Sequence, residues 1–259
     1  LDGDGAPDYV VGFYNNVASS PPDPIRLQWF RNLGNGTFSG AKTLWPLDGK
    51  VFDSHAIALK VVDLNQDGFL DILFALEKRS NFFGICKSQG FGAFLPCEIL
   101  FDTSTPTFSN TSPSGLDVKD MDGDGKVDLI LATNGGVWIS HNNGNFNFSL
   151  PLAVVAGQST TVVAAANLNG GPLDLVVGHG DSPNISIYLA SPSGAFGNPT
   201  TRAVTPAQQG TTIRDIEAAD MDRDGDLDIV LIFQCGVGIF PNSGSGSFGT
   251  YLRLRFDCG

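Results

Sequence analysis

The sequence predicts an all-β chain, a β-propeller of four-stranded blades with about five repeats in view. Two recurring landmarks and the composition predict it. An Asp-rich loop that runs into an apolar, β-prone stretch occurs five times, and a Gly-rich turn ending in Phe follows each one. Gly (32) and Pro (15) are plentiful and charged residues make up only 16%, which suits many short strands joined by turns and disfavours long helices. A hydrophobic content of 42% is enough to bury a core. The 259 residues read as a single propeller domain, 1–259, whose N-terminal blade is incomplete.

Within each unit the elements follow in a set order. The Asp loops are "LDGDGAPDYVVG" from Leu1, "DLNQDGFLDILFA" from Asp63, "DMDGDGKVDLILA" from Asp120, "NLNGGPLDLVVG" from Asn167 and "DMDRDGDLDIVLI" from Asp220. They share the pattern D-x-D/N-x-D-G-x-x-D and start roughly 45 to 65 residues apart, in the range of propeller blades. A second β-prone stretch follows the apolar run and leads to the Gly turn. The turns are "NLGNGTF" (Asn32 to Phe38), "SQGFGAF" (Ser88 to Phe94), "NNGNFNF" (Asn142 to Phe148), "SPSGAF" (Ser191 to Phe196) and "NSGSGSF" (Asn242 to Phe248). Asn and Gly accept the positive φ that tight hairpins need. The closing Phe is expected to pack between neighbouring sheets. A further strand-like segment precedes each Asp loop, such as "HAIALKVV" (His55 to Val62) and "TTVVAAA" (Thr160 to Ala166). One unit therefore reads strand, Asp loop, strand, strand, Gly turn, strand.

The pairing of the Asp loop with a downstream N-x-G-x-G-x-F resembles the FG-GAP or VCBS repeat of integrin α-subunit propellers and of some fungal and bacterial lectins. The likeness covers essentially the whole chain. It implies a propeller with calcium in the loops between the first two strands of a blade. It assigns no function, because the repeat serves adhesion receptors, lectins and appendages of enzymes alike. Leu1 aligns with Met121 and Met221, so the first motif begins after its first Asp. The expectation is that residues upstream complete the ring, or that the chain is an excerpt of a larger propeller.

The loops carry calcium chemistry. Calcium takes six to eight oxygen ligands in a flexible shell, which closely spaced carboxylates on a Gly-bent loop supply. In the third unit Asp120, Asp122, Asp124 and Asp128 are the candidate carboxylates and Lys126 contributes its backbone carbonyl. The fifth repeats this with Asp220, Asp222, Asp224 and Asp228, the carbonyl coming from Asp226. In the second, Asp63, Asn65, Asp67 and Asp71 fill the same places, with the carbonyl of Phe69. The first keeps Asp2, Asp4 and Asp8. The fourth is degenerate: Asn167 and Asn169 replace carboxylates, Gly171 stands at the third Asp, and only Asp174 is charged. It is expected to bind calcium weakly or not at all. An EF-hand needs a Glu at the twelfth loop position, where Leu131 and Leu231 stand inside β-prone runs, so that reading is excluded.

The remaining features bear on function class. A net charge of −12 disfavours a nucleic-acid partner. Glu occurs only at Glu77, Glu98 and Glu217, so the acidity is almost all Asp, as a hard cation asks. No stretch is long and apolar enough to span a bilayer, and none reads as a signal peptide. Cys86 and Cys97 flank one Gly turn and Cys235 and Cys258 another, so each pair could bridge a hairpin as a disulfide. With N-glycosylation sequons at Asn35, Asn110, Asn147 and Asn184 they point to an extracellular or cell-surface location on the secretory route. His55, His141 and His179 show no metal-ligand spacing, and neither a nucleophile elbow nor a phosphate loop occurs, so a non-catalytic chain is expected. Trp29, Trp45 and Trp138 could stack a sugar, although Trp29 and Trp138 sit where a ring would pack between sheets anyway. "SSPPDP" (Ser19 to Pro24) is a stiff loop that could touch a partner. The expected function is a calcium-binding module for adhesion or structural interaction, with an extracellular protein or glycan as partner. A lectin with sites between blades is the second reading, and a non-catalytic propeller of a larger enzyme the third.

Overall fold

A computed structural model describes residues 1–13, 26–45, 54–78, 81–102, 105, 108, 111–180, 182–204, 213–233 and 236–255. The regular elements among these residues are β-strands. Strands β1 (Tyr9–Phe13), β2 (Arg26–Phe30) and β3 (Lys42–Trp45) form a three-stranded sheet. Next come β4 (Ser54–Val62), β5 (Asp71–Lys78) and β6 (Phe82–Cys86). A ribbon of β7 (Ser88–Gly90) and β8 (Ala93–Phe94) follows at the Gly turn, and β9 (Glu98–Asp102) completes the sheet β4-β5-β6-β9. Strands β10 (Pro113–Lys119), β11 (Asp128–Thr133), β12 (Gly136–Ser140) and β13 (Leu152–Ala156) form a second four-stranded sheet. A third holds β14 (Thr160–Ala166), β15 (Asp174–His179), β16 (Asn184–Tyr188) and β17 (Thr200–Ala203). The last holds β18 (Ile213–Ala219), β19 (Asp228–Phe233), β20 (Gly236–Phe240) and β21 (Leu252–Arg255). Every four-stranded sheet is an up-and-down antiparallel blade with its Asp loop between the first and second strands. That is the order the sequence predicts.

The chain divides into two compact units, residues 1–114 with 143–147, and residues 115–142 with 148–259. In the second unit the strands show how a blade is held. Side chains alternate across a strand, so a strand lying between two sheets needs apolar residues on both faces. In β14, Val162, Ala164 and Ala166 face a core shared with Ile213, Ile216, Ile229 and Leu231, while Val163 and Ala165 face Ile130, Val137 and Ile139. Both faces of "TTVVAAA" are therefore interior, which is why the segment shows no polar alternation. The second and third strands of a blade are the most buried, β11 and β12 throughout, whereas the fourth, such as β17, is largely exposed. As the first strand of its sheet, β14 has backbone groups without a neighbour on one side. Asp117 of β10 supplies one, its carboxylate accepting the Ala165 N–H at 2.9 Å. In the first unit, Leu27, Trp29 and Leu44 pack with Ile72, Phe74, Leu76 and Phe82. Each fully buried side chain of this size stabilises by about 1.5–3 kcal/mol.

The Gly turns dock as well as turn. Gly92 has φ +72°, and a Cβ there would collide with the Trp29 ring. Gly246 has φ +69°, and its N–H donates to the carbonyl of Leu168 at 3.1 Å, in the preceding unit's Asp loop. The closing Phe residues are unequal. Phe248 is buried, Phe94 and Phe196 are partly buried against cores, but Phe38 is 45% exposed and packs its edge against Tyr9. The expectation of a Phe between sheets thus fails for Phe38, where the aromatic pair forms at the sheet surface instead. Cys86 and Cys97 form a disulfide across the second Gly turn, while Cys235 and Cys258 lie outside the described residues.

One interaction recurs in all five units. The last Asp of the loop opens or directly precedes the second strand and accepts backbone N–H groups on both oxygens. Asp71 takes Leu64 N–H (3.0 Å) and Ser88 N–H (2.8 Å); Asp128 takes Met121 (2.8 Å) and Asn142 (2.8 Å). Asp174 takes Leu168 (2.9 Å) and Ala190 (2.7 Å), Asp228 takes Met221 (2.9 Å) and Asn242 (2.7 Å), and Asp8 takes Asp2 (3.3 Å) and Asn32 (2.7 Å). One donor lies in the loop and the other at the start of the Gly turn, so the carboxylate ties the two landmarks of the repeat together. Asp71, Asp128, Asp174 and Asp228 are buried. Burial raises the carboxyl values of Asp71 and Asp174, and the two backbone bonds oppose that rise.

Asp174→Asn is expected to destabilise the protein by about 1–3 kcal/mol, because an amide offers one acceptor where two buried N–H groups need two. Denaturant melts check this, and the loss should be the same with calcium and with chelator, since this loop lacks the other carboxylates. Replacing Cys86 and Cys97 together by Ser is expected to cost about 3 kcal/mol on loop-closure entropy, read the same way.

Candidate metal-binding loops

The loops fold the way they do because each short side chain satisfies the backbone of its own turn. Asp120 accepts Gly123 N–H at 2.7 Å and Gly125 N–H at 2.8 Å, Asp122 accepts Asp124 N–H at 3.2 Å, and Asp124 accepts Lys126 N–H at 2.8 Å. Asp220, Asp222 and Asp224 repeat the scheme with Arg223, Gly225, Asp224 and Asp226. Gly125 and Gly225 have φ of +86° and +97°, the bend that turns the carboxylates inward. In the second loop Asp63 accepts Asp67 and Gly68 N–H, and the Asn65 amide donates to Asp67 at 2.8 Å. In the fourth, Asn167 and Asn169 hold the turn through Gly170 and Gly171 N–H at 2.7 and 2.9 Å, as their residue types predict.

Among the described residues, three carboxylates converge in two of the five loops. Oxygens of Asp120, Asp122 and Asp124 lie within 4.8 Å of one another, and so do those of Asp220, Asp222 and Asp228. Asp226 turns its own carboxylate against Gly244, leaving its carbonyl as its candidate ligand atom. An all-oxygen donor set, closely spaced and preoriented by backbone N–H groups, fits a hard divalent cation. Asp222 shows the electrostatic cost of the arrangement: loss of solvent, then repulsion from Asp224, Asp228 and Asp220, raises its carboxyl above the ordinary value. In the third loop the side chain of Lys126 pairs with Asp124 and holds that carboxyl below its ordinary value.

Sequence reasoning missed the residue that stands just before each Gly turn. In the first unit it is Arg31, whose guanidinium pairs with Asp2 and reaches Asp4 at 3.0 Å. The Ala6 N–H and Arg31 together lower the Asp4 carboxyl. This cation sits on the loop's carboxylates. In the third unit it is His141, with Nδ1 3.3 Å from Asp128 and 3.4 Å from Asp122. No spacing rule finds it, because its partners are 13 and 19 residues away across a strand pair. His179 has Nε2 2.8 Å from Ser186 Oγ and Nδ1 3.3 Å from the Ser159 carbonyl. The side chain of His55, the sequon Asn110 and the Ser19 to Pro24 insertion fall outside the described residues. Asn35 and Asn147 are exposed on Gly turns, and Asn184 is half-buried at the start of β16. Trp29 and Trp138 are buried core residues.

Comparison with known proteins fits this architecture. The model of the FG-GAP-like repeat family matches residues 1–74, 120–170 and 171–231. No curated protein matches by sequence. Among solved structures, an Agrocybe aegerita lectin that recognises non-reducing terminal N-acetylglucosamine is similar over 95% of this chain and 66% of its own, with TM-score 0.58 and 19% identity. The exo-β-1,3-galactanase of Phanerochaete chrysosporium is similar over 90% and 54%, with TM-score 0.53 and 14% identity. The major allergen Mala s 1 of Malassezia sympodialis is similar over 90% and 73%, with TM-score 0.50 and 12% identity. This chain thus spans about two-thirds of the lectin and about half of the galactanase. At such identities the likeness is one of fold.

Arg31→Ala is expected to raise the Asp4 carboxyl value toward the ordinary carboxylate range while leaving the backbone bonds to Asp8 in place. Carboxyl chemical shifts followed through an acid titration check this.

Proposed function

The chain belongs to the FG-GAP-like repeat family, and from that premise we propose that it is an extracellular, calcium-braced interaction module that binds its partner without catalysis. The convergence of Asp220, Asp222 and Asp228 within 4.8 Å carries the reading, because three carboxylates at that separation in an all-oxygen loop suit calcium. Asp224 and the Asp226 carbonyl would complete the fifth shell, and Asp120, Asp122, Asp124, Asp128 and the Lys126 carbonyl would serve the third. Calcium there neutralises the loop's charge and stiffens the joint between strands. The Cys86–Cys97 disulfide supports an oxidising compartment, and the exposed Asn35 and Asn147 suit N-glycosylation. Both ring nitrogens of His179 are engaged by neighbouring groups, which disfavours its use as a general base.

A second reading, carbohydrate recognition, is favoured by one observation. The second unit has a cavity of about 310 Å³ bounded by β12, β13 and the fourth Gly turn, lined by Ile139, His141, Leu152, Val154 and Phe196. It holds the Phe196 ring and the His141 imidazole in an otherwise apolar wall, a surface on which a sugar ring could stack. A glycan array probed in millimolar calcium, with a chelated control, separates the two. Saturable binding to one glycan supports the lectin reading, and a blank array with folded, calcium-stabilised protein supports a protein partner.

Calcium at a hundredfold excess over Kd is expected to raise Tm by roughly 5–10 °C per occupied loop. Asp222→Ala should remove the fifth loop's share and Asp122→Ala the third's. If the parent melts identically in calcium and chelator, the calcium assignment is wrong. The raised Asp222 carboxyl binds its proton first as pH falls, whereas Lys126 keeps Asp124 ionised to lower pH. Calcium should therefore leave the fifth loop at a higher pH than the third, read by calcium titration of each single-loop variant between about pH 7 and 4.

A further inference from the structure

The third and fifth loops have nearly the same Asp pattern, yet the residue before the Gly turn is His141 in one and Pro241 in the other. We propose that His141, Asp122 and Asp128 form a site for a borderline divalent cation such as Zn²⁺, distinct in donor set from the all-oxygen fifth loop. The inference rests on the metal-loop reading only in that Asp122 and Asp128 are shared with the calcium set.

Three observations carry it. The Nδ1 of His141 and one oxygen from each carboxylate lie within 4.8 Å of one another. Nδ1 is 3.3 Å from Asp128 Oδ2 and 3.4 Å from Asp122 Oδ2. Without a metal the Asp128 contact is a hydrogen bond. The same separations fit the edge of a tetrahedron whose centre lies about 2.0–2.1 Å from each ligand, about 3.3–3.4 Å, so a zinc ion can enter with little movement of the ligands. Second, the ligand at the base of the site is already oriented. Asp128 is fully buried, and the Met121 and Asn142 N–H groups hold its carboxylate in place as outer-shell donors hold metal ligands. Third, a position stays open. His141 and Asp122 line a cavity of about 580 Å³ that also borders Gly123, Pro172 and Ser193, so a water or a ligand atom can complete the shell. One imidazole with two carboxylates suits zinc, nickel or cobalt over calcium, which prefers oxygen alone.

The test uses the whole chain stripped of metal. Zinc is titrated by calorimetry, and cobalt by its visible d–d absorption as a report of low-symmetry coordination. The parent should bind one zinc through this site. His141→Ala and His141→Gln should each weaken it by about 100-fold or more, while Asp222→Ala, in the fifth loop, and His179→Ala should leave it unchanged. The metal-free protein should stay folded in both His141 variants, with His141→Gln, which keeps a hydrogen-bonding group beside Asp128, melting closer to the parent than His141→Ala. Zinc binding that survives both His141 substitutions, or none in the parent, overturns the proposal. Zinc bound through His141 without any calcium-dependent shift in Tm would sustain it while removing the calcium reading.

Discussion

The structure depends on a buried carboxylate that accepts one backbone N–H from each of two segments. The last Asp of every loop does this, and the two donors belong to the Asp loop and to the Gly turn that follows the next two strands. A tight loop between strands leaves N–H groups with no ladder partner, and a buried N–H without an acceptor is costly. A carboxylate has two oxygens and can serve two such groups at once. That is the physical reason the two landmarks recur together along the chain: each needs the other's hydrogen-bonding groups. In the first, third and fifth units the link is reciprocal, since Asn32, Asn142 and Asn242 return a side-chain N–H to the carbonyl of Pro7, Val127 and Leu227.

This division of labour explains how one loop can lose its other charges without losing its place in the fold. The fourth unit has Asn167, Asn169 and Gly171 where carboxylates stand elsewhere, and its turn still closes through Asn side chains. The one charge it keeps is Asp174, the residue with two N–H partners. Carboxylates nearer the loop tip accept N–H groups of their own turn but repel one another, and a cation offsets that repulsion. Arg31 provides that cation for the first loop from within the chain. The units therefore share a scaffold and differ in how their excess charge is neutralised.

Most of the fold was legible in the sequence because its signals are local. Gly at positive φ, Asp in alternate positions and runs such as "DLILA" each determine their own few residues, and the blades follow from repeating them. The site was legible only in part. Reading every Asp as a ligand merged two roles, because the burial of Asp128 and Asp228 depends on strands elsewhere in the chain. His141 and Arg31 were invisible for the same reason: the hairpin that brings them over the loop spans many residues, and no short-range pattern encodes it. Phe38 misled in the opposite direction. Its motif matches Phe248, but one is exposed and the other lies in a core.

The position before the Gly turn is thus where the units diverge chemically at little structural cost. It carries Arg31, Lys87, His141, Leu189 and Pro241 in the five units, while the residue after it always donates its backbone N–H to the buried Asp. Its backbone is constrained by that neighbouring bond, and its side chain lies beside the loop's carboxylates in the two units where it bears on them, the first and the third. A substitution here can change the charge over a loop without touching the carboxylate that holds the blade together. A repeat built this way can keep one fold across all units and still give each loop its own affinity for a cation.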